Sequence, residues 1–269
     1  MTAQQDILSF KTPPLIEVSF SLQFEPIKEL HIGFIGLIWD RFRDRYPTVE
    51  IADELAHEIE KFGVISRKSQ GIQFLDRVPV PRVLFISEDQ QYLIQLQKDR
   101  FIFNWRRLSN ESVTYPRYEP LRSRFLDELE IFNGFLAEKG LERVSFNQVE
   151  FTYVNHIDAE DRSIQQVFKD VIDESRFTPS LVLEAFSVNL KHLIQVEGEN
   201  IGRLYTSIEK GNRISDGRSI FILKFVARTH PLESTIKGVV ASMDVMRREI
   251  NDCFSTITTE KMHDEWKRQ

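Results

Sequence analysis

The sequence predicts an α+β protein. Two similar units, each running strand, helix, antiparallel meander, long helix, are expected to form one curved sheet backed by helices. Three observations predict this. Short runs with a two-residue apolar repeat alternate with longer runs repeating every three to four residues. The same order of elements occurs at about Leu15–Gly140 and again at about Val144–Ser255. The composition supports a large core, since 41% of the 269 residues are hydrophobic and 21 are Phe, which argues against disorder.

A polar stretch ending in Pro13-Pro14 reads as a loose arm over 1–14. The first strand then alternates, with Ile16, Val18, Phe20, Leu22 and Phe24 on one face and Glu17, Ser19, Ser21 and Gln23 on the other. Pro26 stops it. From Leu30 to Tyr46 the repeat becomes helical, placing Phe34, Leu37, Ile38 and Phe42 on one face with Pro47 past the end. A weaker helix is expected over Ala52–Phe62. Runs at Ile72–Leu75, Arg82–Ser87, Gln91–Gln97 and Phe101–Arg106 make the meander, with hairpin turns at Glu88-Asp89-Gln90 and Lys98-Asp99-Arg100. Leu121, Phe125, Leu129, Phe132 and Leu136 mark a long helix that Gly140 ends.

The second unit opens with a strand over Val144–Ile157, in which Val149, Phe151 and Tyr153 alternate with Gln148, Glu150 and Thr152. Asp161 or Ser163 is placed to cap a short helix carrying Ile164, Val167, Phe168 and Val171. Strands are expected at Leu183–Val196, Ile201–Glu209 and Ser219–Ala227, with turns at Gly198 and over Gly211–Gly217. A final long helix from about Leu232 to Ser255 carries Ile236, Val239, Val240, Met243, Met246, Ile250 and Phe254. The tail, Thr258–Trp266, reads as one more helical turn capped by Thr258 or Thr259. The implied boundaries are an arm over 1–14, units over 15–140 and 141–256, and a tail over 257–269. TATA-box-binding protein has this doubled plan, and the helix-grip fold is the alternative. Such an analogy carries no function.

The formal net charge is −6, which argues weakly against a whole-protein polyanion binder. The charge is uneven. Residues 1–66 carry a net −5, residues 67–124 a net +5 and the remainder a net −6, so the first meander is the basic stretch. A single cysteine, Cys253, excludes an internal disulfide and a cysteine metal cluster. The amino-terminal residues lack a basic region followed by an apolar run, and no apolar stretch approaches the roughly 20 residues that span a bilayer. A cytoplasmic protein without a membrane segment is expected.

No catalytic motif rises above background. The six histidines are scattered, and His57-Glu58 lacks the second His of a zinc-protease motif, so each reads best as a solvated or hydrogen-bonded structural residue. No Gly-x-Ser-x-Gly elbow and no Gly-rich phosphate loop occurs. Cys253, beside Phe254 on a helix, reads as core. No metal and no cofactor is expected. Asn155 and His156 end a strand and are candidate ligand contacts, although a plain strand-end turn toward Asp158 is the better reading. The sharpest surface candidate is the sheet's second face: Ser19, Ser21, Gln23, Gln95, Gln97, Asn104, Arg106, Gln148, Glu150 and Thr152. Amides both donate and accept, so such a face suits another polar surface. Lys98, Arg100, Arg107 and Arg117 add a basic patch fit for phosphates. The bland alternative is the wet face of an ordinary antiparallel sheet.

Several stretches together carry a resemblance: Pro13-Pro14-Leu15-Ile16-Glu17-Val18, Pro81-Arg82-Val83, Leu93 to Phe101, Asn104-Trp105-Arg106-Arg107, Tyr115-Pro116-Arg117-Tyr118-Glu119, Glu150 to Ile157, and the tail from Ile257 to Trp266. The chain is similar to an uncharacterised family of sporadically distributed bacterial proteins of about 260 residues with no assigned activity. The resemblance spans nearly the whole chain but is slight over 160–230. It implies no catalytic residues. Patchy distribution implies traffic on mobile elements, such as phage-defence or toxin–antitoxin operons.

The leading expectation is a non-enzymatic interaction or regulatory module that holds a protein partner on the polar face or between the halves, with Met262 and Trp266 of the tail either anchoring a partner or packing at home. Nucleic-acid binding along the basic meander is the second. A small-ligand or enzymatic pocket under the curved sheet, lined by Phe, is the third. Homo-oligomers fit any of these.

Overall fold

The computed structural model describes residues 9–62, 81–108, 113–141, 144–158, 170–171, 187–214 and 216–269. Among the described residues nine strands form one antiparallel sheet: β1 (Leu15–Phe24), β2 (Thr48–Ala52), β3 (Arg82–Ile86), β4 (Tyr92–Gln97), β5 (Arg100–Arg106), β6 (Phe146–Asp158), β7 (Ser187–Val196), β8 (Glu199–Asn212) and β9 (Ser219–Thr229). The spatial order is β2-β3-β4-β5-β1-β6-β9-β8-β7. The described helices are α1 (Ile32–Phe42), α2 (Tyr118–Glu138), α3 (Ile236–Ile257) and the short α4 (Glu260–Glu265). The protein is therefore α+β with a large antiparallel sheet. Among the described residues no helix is long and apolar enough to cross a membrane.

The alternation in β1 sets the layering. Val18, Phe20, Leu22 and Phe24 are fully buried toward the helices. Phe20 lies across from Phe103 of β5 on one side and Phe151 of β6 on the other. Its ring centroid is 4.8 Å from that of Phe151 and 5.4 Å from that of Phe125 on α2. All five expected apolar positions of α2 are buried, and Phe132 stacks on Phe101 at 5.3 Å. Val239, Met243, Met246, Ile250 and Phe254 of α3 are buried as well. Gly140 closes α2 with φ of 68°, a left-handed conformation glycine adopts without strain.

Several expectations are corrected. No helix forms over Ala52–Phe62: residues 48–52 are strand β2, paired with β3, and 53–62 carry no regular structure. Their helical propensity yields to tertiary hydrogen bonds described below. On α1 the buried residues are Ile35, Ile38 and Phe42, while Leu37 is half-exposed, because the helix starts after the His31 cap and turns a different stripe inward. In β1 a register irregularity before Glu17 brings Leu15, not Ile16, into the core. Lys98 and Asp99 alone make the β4–β5 turn, so Arg100 belongs to β5. Of the two alternatives for Met262 and Trp266, the structure shows packing at home. Thr259 is the N-cap residue of α4, although its hydroxyl donates to the Asp170 carbonyl rather than capping the helix, and both side chains are buried, with Trp266 against Phe254 at 5.2 Å and Phe10 at 5.8 Å. Residues 9–14 are likewise tied down, since Lys11 donates to the Lys267 carbonyl and Phe10 pairs with Arg268. The expected run at Ile72–Leu75 and the expected capped helix up to Phe168 lie outside the described residues. Asp170 and Val171 are helical and buried.

Candidate functional site

The sheet's two faces present different chemistry. Registers place Ser19, Asn104 and Thr152 abreast, and Gln23 abreast of Arg100 and Gln148, so the amide-rich set does share one face. That face is not an open platform. Ser21, Gln23, Gln97, Asn104, Gln148 and Thr152 are all buried. Residues 53–62 lie across much of it as a strap.

The strap is held by its main chain. Gln97 accepts from the Leu55 N–H and donates to the Leu55 carbonyl, both at 3.0 Å. Gln23 does the same for Glu58, at 3.1 and 2.7 Å. Gln148 accepts from the Glu60 N–H at 2.9 Å, and His230 Nε2 meets the Glu60 carbonyl at 2.8 Å. Arg82 and Arg100 donate to the carbonyls of Asp53 and Ala56. Charge reinforces this. Lys98 pairs with Glu54 at 2.9 Å, Arg228 with Glu58 at 2.5 Å, and Arg203 with Glu60. Tyr205 donates to Glu60 at 2.6 Å, and burial, with this carboxylate beside it, pushes the phenol up to about 12. His57 meets Asp99 at 2.8 Å.

The other expected residues divide. Gln95 donates to Asn104, Asn104 to Glu17, and Arg106 to the Gln90 carbonyl. Glu150 is paired with Arg228. His156 is half-buried, and burial lowers its pKa, helped by nearby Arg213. The basic patch is not one surface. Lys98 and Arg100 serve the strap, Arg107 follows β5 with its Nε buried and unpartnered, and Arg117 lies on the helical side. Asn155 also faces the helices, because β6 alternates and Asn155 follows Phe151 and Tyr153 on that side.

Asn155 and Arg117 meet in a pocket of about 370 Å³. Phe10, Pro13 and Leu15 form one wall and Arg247, Asn251 and Phe254 of α3 another. Tyr115 and the start of α2 close the top, with Tyr153 and Asn155 on the floor. The hydroxyls of Tyr115 and Tyr153 are 3.3 Å apart, and burial raises both phenols. Arg247 reaches Glu119 at 2.7 Å and lies over the Tyr118 ring at 4.2 Å, yet its Nε is buried with no hydrogen-bond partner. Arg117 sits at φ of 78°, a left-handed strain that a non-glycine residue seldom carries, and α2 has no side-chain cap. The sequence singled out Asn155 and Arg117 but not Arg247, Tyr115 or Tyr153. Only the α3–β6 packing brings those together, and no motif signals it.

Among the described residues no group of His, Cys, Asp and Glu is placed to hold a metal ion. Cys253 is a free thiol, half-buried beside Thr206, and burial raises its pKa away from reactivity. No family model matches the chain, and no curated protein matches it.

Proposed function

We propose that the protein is a binding module whose pocket between α2, α3 and β6 takes a small organic anion bearing an apolar ring. The observation that carries this reading is the guanidinium of Arg247, partly exposed in a pocket lining that also holds Arg117. Guanidinium N–H groups in a largely apolar lining form charge-assisted hydrogen bonds with a carboxylate or phosphate. Arg117 and Arg247 place two guanidiniums in the lining beside Glu119, and the Tyr and Phe rings supply the apolar contact. The volume is that of a drug-sized ligand site.

The test uses benzoate, phenylphosphate and adenosine monophosphate as probes in calorimetry and thermal shift. At least one is expected to bind and to raise the melting temperature with concentration. Arg247→Gln is expected to abolish the effect, and Arg248→Gln, an exposed neighbour, to leave it intact. Silence from all three probes at millimolar concentration, or equal binding by both variants, rejects the reading.

We also infer that the two halves are copies of one unit in the manner of TATA-box-binding protein. In support, β1 and β6 pair at the middle of the sheet, each first strand pairs with the last strand of its own meander (β1 with β5, β6 with β9), and each half ends in a long helix. Two long helices, not one, fit this better than a helix grip.

A further inference from the structure

The strap is bound as a peptide would be. We propose that the polar face of the sheet is a docking surface for an extended acidic segment of a partner protein, and that residues 53–62 are its resident occupant, displaced when that partner binds.

The recognition is of backbone. Gln23 and Gln97 each pair with the N–H and the carbonyl of a single strap residue, and Gln148 takes one further N–H. Those bonds ignore side-chain identity, so another extended chain of the same spacing satisfies them. A nucleic-acid strand does not offer this alternation of donor and acceptor, which is why a polypeptide is the occupant argued for. The charge requirement is equally definite. Lys98, Arg228 and Arg203 meet carboxylates at strap positions 54, 58 and 60. The partner segment is therefore acidic, with carboxylates four and six residues beyond the first.

The strap is built to leave. Leu55 and Ile59 are only partly covered and Ala56 is exposed; Glu60 alone among residues 53–62 is buried. From Asp53 to Glu58 the contact is made of hydrogen bonds and ion pairs that water and salt replace, and only its far end adds the buried Glu60 and the Phe62 ring against His230 and Arg203. Lifting the strap uncovers amides and guanidiniums that hydrate readily, whereas lifting α2 would uncover Phe20 and Phe101. Segments of this kind open well below the free energy of global unfolding.

The probe is a labelled synthetic peptide with the strap's own sequence, Asp53 to Phe62. The protein is the full chain, as wild type and with Glu54→Gln, Glu58→Gln and Glu60→Gln together, which loosens the strap without touching the face. The loosened chain is expected to bind the peptide at least tenfold more tightly than wild type, with affinity falling steeply between 50 and about 200 mM salt. Adding Gln23→Ala and Gln97→Ala is expected to abolish binding. Hydrogen exchange on the wild type gives a second reading that needs no variant: the Leu55 and Glu58 amides are expected to exchange at least tenfold faster than those of β1 and β6, and faster still in salt. No binding by a loosened chain that keeps its circular-dichroism spectrum overturns the proposal. So does strap exchange no faster than that of β1, or tighter binding of a single-stranded oligonucleotide than of the peptide.

Discussion

The carboxamide of Gln23 and the main chain of Glu58 are joined at both ends: the side chain donates at 2.7 Å and accepts at 3.1 Å. Gln23 also receives a hydrogen bond from Arg100, so one side chain links β1, β5 and the strap. Each such bond contributes about 1 kcal/mol net. Gln23→Ala is therefore expected to speed amide exchange at Glu58 by roughly tenfold or more, the equivalent of about 1.4 kcal/mol. Strands β6 and β9 should keep their protection. Mass-spectrometric hydrogen exchange reads this directly, and unchanged protection at Glu58 would show that the amide does not hold the strap.

Phe125 is the keystone of the aromatic layer, within 6.4 Å of the rings of Phe20, Phe101 and Phe103 and fully buried. Phe125→Ala is expected to cost about 3–5 kcal/mol in urea unfolding, transfer and cavity terms together. Leu37→Ala, on the half-exposed stripe of α1, is expected to change stability by less than about 0.5 kcal/mol.

Glu128 is fully buried on α2, where it accepts from the Tyr46 hydroxyl at 2.7 Å and pairs with Arg45 at 2.7 Å. Burial is the largest influence and raises its pKa above the ordinary 4.5 despite those partners. The folded chain thus keeps this proton to higher pH than the unfolded chain does. Between 4.5 and the raised value the unfolded state loses its proton first, so Glu128's contribution to stability falls as pH rises. Glu128→Gln is expected to remove that component, seen as a flatter decline of the urea midpoint over the window.

His263 titrates with the opposite sign. The Thr258 hydroxyl donates to the Phe254 carbonyl at 2.6 Å, so its oxygen accepts from His263 Nε2 at 2.7 Å. Nδ1 is then the bare nitrogen, buried without a hydrogen bond. Burial lowers the pKa below the ordinary 6.5, and Glu260 nearby only partly offsets it. On acidification the unfolded chain takes up this proton first. Stability is expected to fall as pH drops from 6.5 through the folded pKa, and His263→Gln is expected to shrink the fall. An unchanged pH profile in that variant would mean that other groups, such as His156, carry the dependence.

Long, regular patterns were legible in the sequence. The apolar stripe of α2, most of that of α3 and the alternation of β1 each arise from spacing within one element, and local spacing survives folding. The strap was misread for a related reason. Residues 52–62 have good helix formers, but Gln23, Gln97, Gln148 and Arg100 offer their main chain better partners from elements remote in sequence. The polar face is legible as a group but its exposure is not, because alternation tells which residues share a face and not what covers it. Asn155 was singled out without the pocket it lines. Tyr153 is two residues away, but Tyr115 and Arg247 reach the site only through packing.

The amino-acid order alone determined the α+β class, the apolar layers and the identity of the hydrogen-bonding face. These depend on periodicities of two and 3.6 that a chain carries in itself. Folding decided the rest: that the face is occupied by residues 53–62, and that guanidiniums, phenols and a carboxamide from four separate segments enclose one cavity. Both depend on which distant groups become neighbours, and a one-dimensional pattern does not encode that adjacency.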